Sequence, residues 1–341
     1  MLQQLEQLPP GFLTAPARAL HGVLPGPTLI HLPGELPEPV FVSVLLHGNE
    51  DVGLLAVQGL LQTYAGRRLP RALSILVGNV DAARAGVRHL DSQPDFNRIW
   101  ARSTPATPYE AMAAQVVEQM RRRRVFVALD LHNNSGRNPF YCCLSADAFG
   151  HRRLARMFSE LAVLIDGHPS LGAAFSPVCP TVSCECGEIG NAEGVIRAGM
   201  LIEKCLRAAP QTFADAHAGE PGDSATLDVL QAFAVLKVAD TLSVSSDGAD
   251  ADVRLLPDIE SLNFRPLEAP CALVMTAPGL TVEPLQVFRL SGERLDGMVT
   301  RNGSEVGLKA GSIVAMLTRD VRAIRQDCLG YLMRRLPKAV A

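Results

Sequence analysis

Apolar strand-like segments alternate with helical segments along the first 208 residues, and this alternation constrains the fold more than any other feature. The apolar segments have the length and composition of buried strands and span residues 40–46, 72–80, 125–132 and 181–187. Predicted helices follow them at residues 52–66, 108–124, 151–165 and 193–208. Apolar strands that alternate with helices indicate an α/β fold with a mixed, mostly parallel sheet flanked by helices.

The composition of the chain changes after residue 208. Residues 209–225 are rich in Pro, Gly, Ala and Asp, which is a composition typical of linkers. Short strand candidates separated by turn residues follow at residues 232–238, 271–277, 285–290 and 312–317. We therefore predict two domains, a larger one over residues 1–208 and a smaller β-rich one over residues 209–341.

Charge and apolar patterning argue against two classes of partner. A net charge of -3 gives no basic field, so nucleic acid is not an expected partner. No apolar run approaches the ~18–20 residues that a membrane helix needs. The N-terminus lacks the basic region and apolar core of a secretory signal, so we expect a cytoplasmic protein with reduced thiols. The cysteines are interpreted as small buried residues, with metal or redox sites at Cys142 with Cys143 and at Cys184 with Cys186 as the alternative.

Ionisable or amide side chains stand at the end of each predicted strand. Ligands of open α/β sheets bind at the carboxyl ends of the strands, so these residues are candidates for one site: His47, Glu50, Asn79, Asp130, His132 and Glu185. Two imidazoles and one carboxylate are the usual protein ligands of a hydrolytic zinc site. His47, Glu50 and His132 supply that set, and Asp130 either supports a ligand or caps its strand.

Arginines are concentrated in two further segments. Residues 78–100 contain Arg84, Arg88 and Arg98. An arginine near a metal can stabilise an oxyanion or bind a substrate carboxylate, and a solvated surface position is the alternative for each. The run of arginines at residues 121–124 is interpreted as the positively charged end of a helix, with binding of an anionic partner as the alternative.

Three motifs in order resemble the succinylglutamate desuccinylase/aspartoacylase family. They are HGNE at residues 47–50, GN…AGVRHLD…FNRIW over residues 78–100, and DLHN at residues 130–133. This family is a branch of the zinc carboxypeptidase-like hydrolases, and the similarity extends over roughly residues 40–200. The resemblance implies a zinc carboxypeptidase-like fold with one Zn²⁺ per chain, bound by His47, Glu50 and His132.

The resemblance also implies roles for residues around that ion. Arg88 corresponds to the arginine that stabilises the tetrahedral oxyanion, and Asn97 with Arg98 to the pair that holds a substrate carboxylate. The general base corresponds to the glutamate of a Glu-x-Gly motif. We expect it at Glu185, because a predicted strand leads directly into it, and Glu188 is the alternative.

The sequence departs from the family pattern in several places. Val80 stands where the family has proline, His89 where it has tyrosine, and the spacing from Arg88 to Asn97 is longer. Residues 133–141 match neither branch of the family, so no particular substrate is assigned. This segment supplies three candidates for the substrate pocket, for which plain loop structure is the alternative: Asn133, Arg137 and Tyr141.

We therefore expect a zinc-dependent hydrolase that cleaves the amide bond of a small carboxylate-bearing substrate, such as an N-acyl amino acid, with help from a glutamate. One alternative is a zinc carboxypeptidase or amidase acting on short peptides, including those of cell walls. Another is a non-catalytic carboxylate-binding protein. A cysteine-based redox protein would rest on Cys184 and Cys186 alone. A homodimer is a further hypothesis, on which no motif bears.

Overall fold

The computed structural model describes residues 2–100, 104–214 and 227–336. The chain divides into two compact units, the first formed by Met1–Asn133 with Phe140–Asp228 and the second by Asn134–Pro139 with Val229–Ala341. The predicted domain boundary between residues 208 and 209 stays a prediction. Much of the predicted linker, residues 215–225, lies outside the described residues.

A mixed sheet with helices forms the first unit. Its strands are β1 (Gln3–Leu5), β2 (Thr28–Leu32), β3 (Gly34–Val44), β4 (Leu69–Val77), β5 (Val127–Asn134), β6 (Tyr141–Leu144), β7 (Leu161–Leu164) and β8 (Thr181–Glu188). Their spatial order is β1-β2-β4-β3-β5-β8-β6-β7. Parallel pairs join β1 to β2, β3 to both β4 and β5, and β6 to β7, while β2–β4 and β6–β8 are antiparallel. The predicted fold class and the four predicted strands of this part are confirmed.

The helices of the first unit are α1 (Val52–Thr63), α2 (Val80–Ala85), α3 (Pro108–Arg122), α4 (Phe149–Arg156), α5 (Leu171–Phe175) and α6 (Ala192–Arg207), with short 3-10 helices at Ala17–Gly22 and Pro210–Phe213. Helix α3 begins with a capping box, because the Thr107 hydroxyl accepts from the Glu110 N–H and the Glu110 carboxylate accepts from the Thr107 N–H. Phe41 of β3 stacks on Phe175 of α5 with ring centroids 4.6 Å apart, which joins sheet and helix in one core.

The predicted helix over residues 151–165 is wrong in its second half. Helix α4 ends at Arg156, and strand β7 pairs in parallel with β6. The Ser159 hydroxyl donates to the Phe140 carbonyl and accepts from the Leu161 N–H, which fixes the turn between helix and strand. A short apolar run does not by itself distinguish a buried strand from a helix, and here pairing with β6 decides.

The second unit is β-rich, as the sequence predicts. Its elements are β9 (Asp228–Val238), β10 (Val244–Ser245), β11 (Val253–Leu255), β12 (Cys271–Thr276), β13 (Leu285–Arg289), β14 (Val299–Asn302), β15 (Glu305–Leu308), β16 (Ile313–Ala315), β17 (Gly330–Arg335), helix α7 (Val321–Gln326) and a 3-10 helix at Ile259–Leu262. One group of strands runs in the order β13-β9-β17-β16 and a five-stranded sheet in the order β10-β11-β12-β15-β14. Their inward side chains share one apolar core.

All eight cysteines are free thiols. Cys142 and Cys184 lie opposite each other in β6 and β8, with their sulfur atoms 3.8 Å apart. Burial raises the pKa of both thiols, which opposes formation of a reactive thiolate. Among the described residues, no helix is both long and apolar enough to cross a membrane.

Candidate metal centre

Strand β3 ends in a sharp turn that brings His47 and Glu50 together. Leu45, directly after the strand, has a φ of 56°, a left-handed conformation that costs an L-residue of this kind about 1–3 kcal/mol. The Glu50 N–H then donates to the His47 carbonyl at 3.1 Å. At Gly48 the chain passes so close to α2 that a Cβ atom would lie 2.2 Å from the backbone between Ala82 and Ala83. Only glycine fits there without displacement.

The two predicted histidines and the glutamate meet in one buried cluster. Nδ1 of His47 lies 2.8 Å from Oε1 of Glu50, and Nδ1 of His132 lies 2.8 Å from Oε2 of the same carboxylate. Each residue offers one ligand atom, and these atoms all lie within 4.8 Å of one another. The three residues are 3–6% exposed. These three residues could therefore hold a metal ion.

Each imidazole of the cluster has a second carboxylate on its other nitrogen. Nε2 of His47 lies 3.2 Å from Asp95 Oδ1, and Nε2 of His132 lies 2.8 Å from Asp130 Oδ2. The Ser183 hydroxyl donates to the same Asp130 oxygen at 3.2 Å. A metal-binding histidine usually donates its other ring N–H to a carboxylate, a backbone carbonyl or a water molecule, which fixes the ring and leaves the first nitrogen for the metal. The donor set therefore fits a metal ion.

The buried carboxylates in and around the cluster stabilise positive charge within it. Burial opposes charge on every group, yet the histidines hold the pKa of Glu50 well below its usual range. Asp130 and Glu50 raise the pKa of His132 despite its burial. His47 and Arg88 likewise lower the pKa of buried Asp95. Carboxylates that stay ionised in a buried site provide the field that a cation needs.

Asp95 joins the predicted arginine to the cluster and was missed by the sequence analysis. Its Oδ2 accepts from Arg88 at 2.8 Å through Nη2 and at 3.1 Å through Nε. Nη1 of Arg88 lies 3.9 Å from Glu50 Oε1. The signal was present, since Asp95 directly precedes the Phe-Asn-Arg segment of the second motif. Its contact with His47 crosses 48 positions of sequence, which spacing alone does not reveal.

Asn97 and Arg98, the predicted substrate-binding pair, both form hydrogen bonds within the protein. Asn97 is buried, its Oδ1 accepts from the Leu171 N–H at 3.1 Å, and its Nδ2 lies 3.4 Å from Nε2 of His132. Arg98 donates from Nη1 to the Asn97 carbonyl at 3.1 Å. Asn79, another strand-end candidate, is the N-cap of α2, where its Oδ1 accepts from Ala82 N–H.

The two candidate bases differ in surroundings. Glu185 is half-buried on β8, the neighbour of β5, and burial raises the pKa of its carboxyl to about 7. His132 opposes this rise in pKa and Glu50 adds to it, so Glu185 is electrostatically coupled to the cluster. Glu188 is exposed, and its carbonyl accepts from Asn133 Nδ2 at 3.2 Å.

The three remaining candidates occupy different positions. Asn133 connects elements: its Oδ1 accepts from the Val52 N–H, and its Nδ2 donates to the Gly187 and Glu188 carbonyls. Tyr141 is buried on β6 as the register partner of Glu185. Arg137 belongs to the second unit, where its N–H donates to Glu260 and its carbonyl accepts from Asn263.

Residues 38–192 match the family model of the succinylglutamate desuccinylase/aspartoacylase catalytic domain. Among solved structures, murine aminoacylase 3 is 17% identical with a TM-score of 0.53, covering 89% of this chain and 96% of that one. Succinylglutamate desuccinylase from Chromobacterium violaceum is 16% identical with a TM-score of 0.52, covering 89% of this chain and 86% of that one. A succinylglutamate desuccinylase/aspartoacylase from Rhodobacter sphaeroides is 13% identical with a TM-score of 0.57, covering 90% of this chain and 88% of that one. Such identities show similarity of fold alone. No curated protein matches the sequence.

Proposed function

We propose that the chain is a zinc-dependent deacylase of the succinylglutamate desuccinylase/aspartoacylase family, whose catalytic-domain model matches residues 38–192. Its proposed substrate is a small carboxylate-bearing amide, such as an N-acyl amino acid. The names of two similar structures, an aminoacylase and a succinylglutamate desuccinylase, support this class. The observation that carries the proposal is the buried cluster of His47, Glu50 and His132 with Glu185 on the neighbouring strand.

In this proposal His47, Glu50 and His132 would hold the zinc ion, and Asp95 and Asp130 orient the two imidazoles. Two histidines and one carboxylate leave a coordination position open. Bound zinc supplies a water of lowered pKa and polarises the scissile carbonyl. The acidic surroundings of the cluster support zinc binding because they stabilise positive charge.

Glu185 is the proposed general base. Its carboxylate would take a proton from the attacking water and later give that proton to the leaving amine nitrogen. A pKa of about 7 suits both steps, since the group then gains and loses a proton near neutral pH. The exposure of Glu188 supports Glu185 over that alternative.

Arg88, Asn97 and Arg98 are the proposed contacts to substrate. Arg88 is held by Asp95 close to the cluster, which supports a role in stabilising the oxyanion. Arg98 would bind the substrate carboxylate through its guanidinium fork. Asn97 would contribute its amide N–H groups, because its oxygen already accepts from Leu171.

The substrate pocket is further proposed to include Tyr141, while a substrate contact by Arg137, a residue of the second unit, stays a prediction from the sequence. The register of β6 and β8 supports Tyr141, because paired residues present their side chains on the same face of a sheet, here beside Glu185. Asn133 would shape the pocket indirectly, since its amide is occupied by backbone groups of α1 and of the chain after Cys186. A cytoplasmic location and a homodimer remain predictions.

Metal analysis and a substrate panel test the proposal. We expect one zinc per chain by mass spectrometry of the purified protein, and hydrolysis of at least one N-acyl amino acid. Glu185→Gln should keep the zinc and lose about 10²–10⁴-fold in kcat, while the matched variant Glu188→Gln keeps the wild-type rate. A metal-free protein that is inactive across the panel would refute the proposal.

The same panel, extended with short peptides, separates the alternatives. Faster hydrolysis of peptides than of N-acyl amino acids would favour a carboxypeptidase or amidase. Binding of carboxylates without turnover would favour a non-catalytic protein. Loss of activity in Glu188→Gln but not in Glu185→Gln would move the general base to Glu188.

A further inference from the structure

A cavity of about 420 Å³ lies in the first unit at the amino end of β5. Its walls include Glu38, Arg71, Arg124, Phe126 and Pro180. Phe126 directly precedes β5 and stands six positions before His132, which corresponds to roughly 20 Å of extended chain. The cavity is therefore separate from the metal centre, and it has the size of a small-ligand pocket.

Arg71 contributes a buried guanidinium to this cavity. The residue is 1% exposed, and its Nη1 and Nη2 donate to the Glu38 and Ala208 carbonyls at 3.2 and 3.1 Å. Its guanidinium carbon lies 3.7 Å from the centroid of the Phe126 ring. Within residues 2–100, 104–214 and 227–336, Nε of Arg71 has no hydrogen-bond partner, and no carboxylate forms an ion pair with the side chain.

The buried positive charge of Arg71 is therefore not balanced by a directly bound carboxylate among the described residues. Its hydrogen-bond acceptors are neutral carbonyls, and burial lowers the pKa of the guanidinium, although the charge of Glu38 acts in the opposite direction. Burying a cation is unfavourable unless an anion compensates. A guanidinium has five N–H donors in a planar fork that matches a carboxylate or phosphate.

A second arginine stands on the wall of the cavity. Nη2 of Arg124 lies 3.0 Å from Oε1 of Glu38, and their side chains are 77% and 33% exposed. Two guanidinium groups and one carboxylate leave the cavity with an excess positive charge. An incoming anion can share Arg124 with Glu38, because an exposed ion pair of this kind is weak.

We propose that this cavity binds a small organic oxyanion, either a carboxylate or a phosphate monoester. The anionic group is placed between Arg71 and Arg124, where two guanidinium groups face the single carboxylate of Glu38. The organic body packs on Phe126, Pro180 and their apolar neighbours Val125 and Val178, which also line the cavity. This site does not depend on the proposed hydrolase activity, because no residue of the metal centre lines it.

Calorimetric titration of the full-length, zinc-supplemented protein tests the proposal, with benzoate and phenyl phosphate as probes and benzyl alcohol as the neutral control. We expect one of the anions to bind and the alcohol not to bind. The anion that binds more tightly identifies the preferred oxyanion. Equal binding of benzyl alcohol would overturn the proposal, as would the absence of binding by both anions up to millimolar concentration.

Variants assign the binding to this cavity rather than to the metal centre. Arg124→Gln should weaken binding about tenfold through loss of one charge-assisted contact, and Glu38→Gln should tighten it. The matched control Arg123→Gln should bind like wild type, since Arg123 pairs with Glu6 and does not line the cavity. Arg71→Lys should weaken binding most, and if this variant fails to fold, Arg124→Gln and Glu38→Gln decide. Wild-type affinity in both of those variants would overturn the proposal.

Discussion

Asp130 Oδ2 lies 2.8 Å from Nε2 of His132, two residues further along the same strand. Side chains two apart in a strand share one face of the sheet, so β5 itself sets this contact. Nδ1 of the same ring faces Glu50. The pair thus fixes which nitrogen of His132 is available to a metal.

Asp130→Asn should lower zinc affinity by about 10–100-fold, because an amide holds the imidazole less firmly and polarises it less. Competition with a chelator measures this affinity. Ser183→Ala, which removes only the hydroxyl that donates to Asp130, is the graded control and should have a smaller effect. Unchanged zinc affinity in Asp130→Asn would contradict a supporting role for this carboxylate.

Gly48→Ala should both destabilise the protein and reduce metal binding. The added Cβ would lie 2.2 Å from the backbone of α2, so the turn that carries His47 and Glu50 must move. We expect a loss of at least about 2 kcal/mol in the free energy of unfolding. Urea denaturation and zinc content measure the two effects.

Gly59→Ala is the matched control for that substitution. Gly59 lies inside α1, and a Cβ there meets no atom within 4 Å. Alanine should therefore raise the free energy of unfolding by about 0.5–1 kcal/mol through its better helix propensity. Equal effects of the two substitutions would show that the close approach at Gly48 does not matter.

The parts of the site that follow strand ends could be predicted from sequence. His47, Glu50 and His132 come directly after or within apolar strands that are parallel neighbours, so their convergence follows from the rule for carboxyl ends of such strands. The main strands were predictable for the same reason, since long apolar runs have few alternatives in an α/β chain.

Contacts made by irregular segments could not be predicted in this way. Asp95 reaches His47 and Arg88 from the turns after α2, where no periodicity fixes direction. The assignment of residues 161–164 to β7 depends on pairing with β6, a long-range contact that local pattern does not contain. The same holds for the left-handed Leu45, whose unfavourable backbone angle is imposed by its surroundings.

The pH dependence of hydrolysis should show an acid limb set by Glu185. Burial raises the pKa of this carboxyl to about 7, and a base acts only when deprotonated, so kcat/KM should rise with pH towards neutrality and then level off. A cation bound nearby lowers the pKa, which puts the limb of the zinc-loaded enzyme at or below that value. The residual activity of Glu185→Gln should lack this limb, and retention of the limb would assign it to another group.

Stability at acid pH should depend on His31, which lies on β2 and is not part of the proposed metal centre. His31 of β2 is buried opposite Ser74 of β4, with its Nδ1 2.9 Å from the serine oxygen. Burial, with a smaller contribution from Arg123 and against the effect of Glu6, lowers the pKa of His31 from 6.5 to about 4. The unfolded chain therefore binds a proton more readily than the folded chain between these values.

The free energy of unfolding should accordingly fall as the pH drops from about 6.5 to about 4, with His31 accounting for about 3 kcal/mol of the loss. Urea denaturation of wild type and His31→Gln across this range isolates the contribution, because other titrating groups are common to both. The difference in the free energy of unfolding between the two proteins should be constant above about pH 6.5. Below that pH, the wild type should lose stability relative to the variant. Parallel curves throughout would show that the pKa of His31 is not lowered by folding.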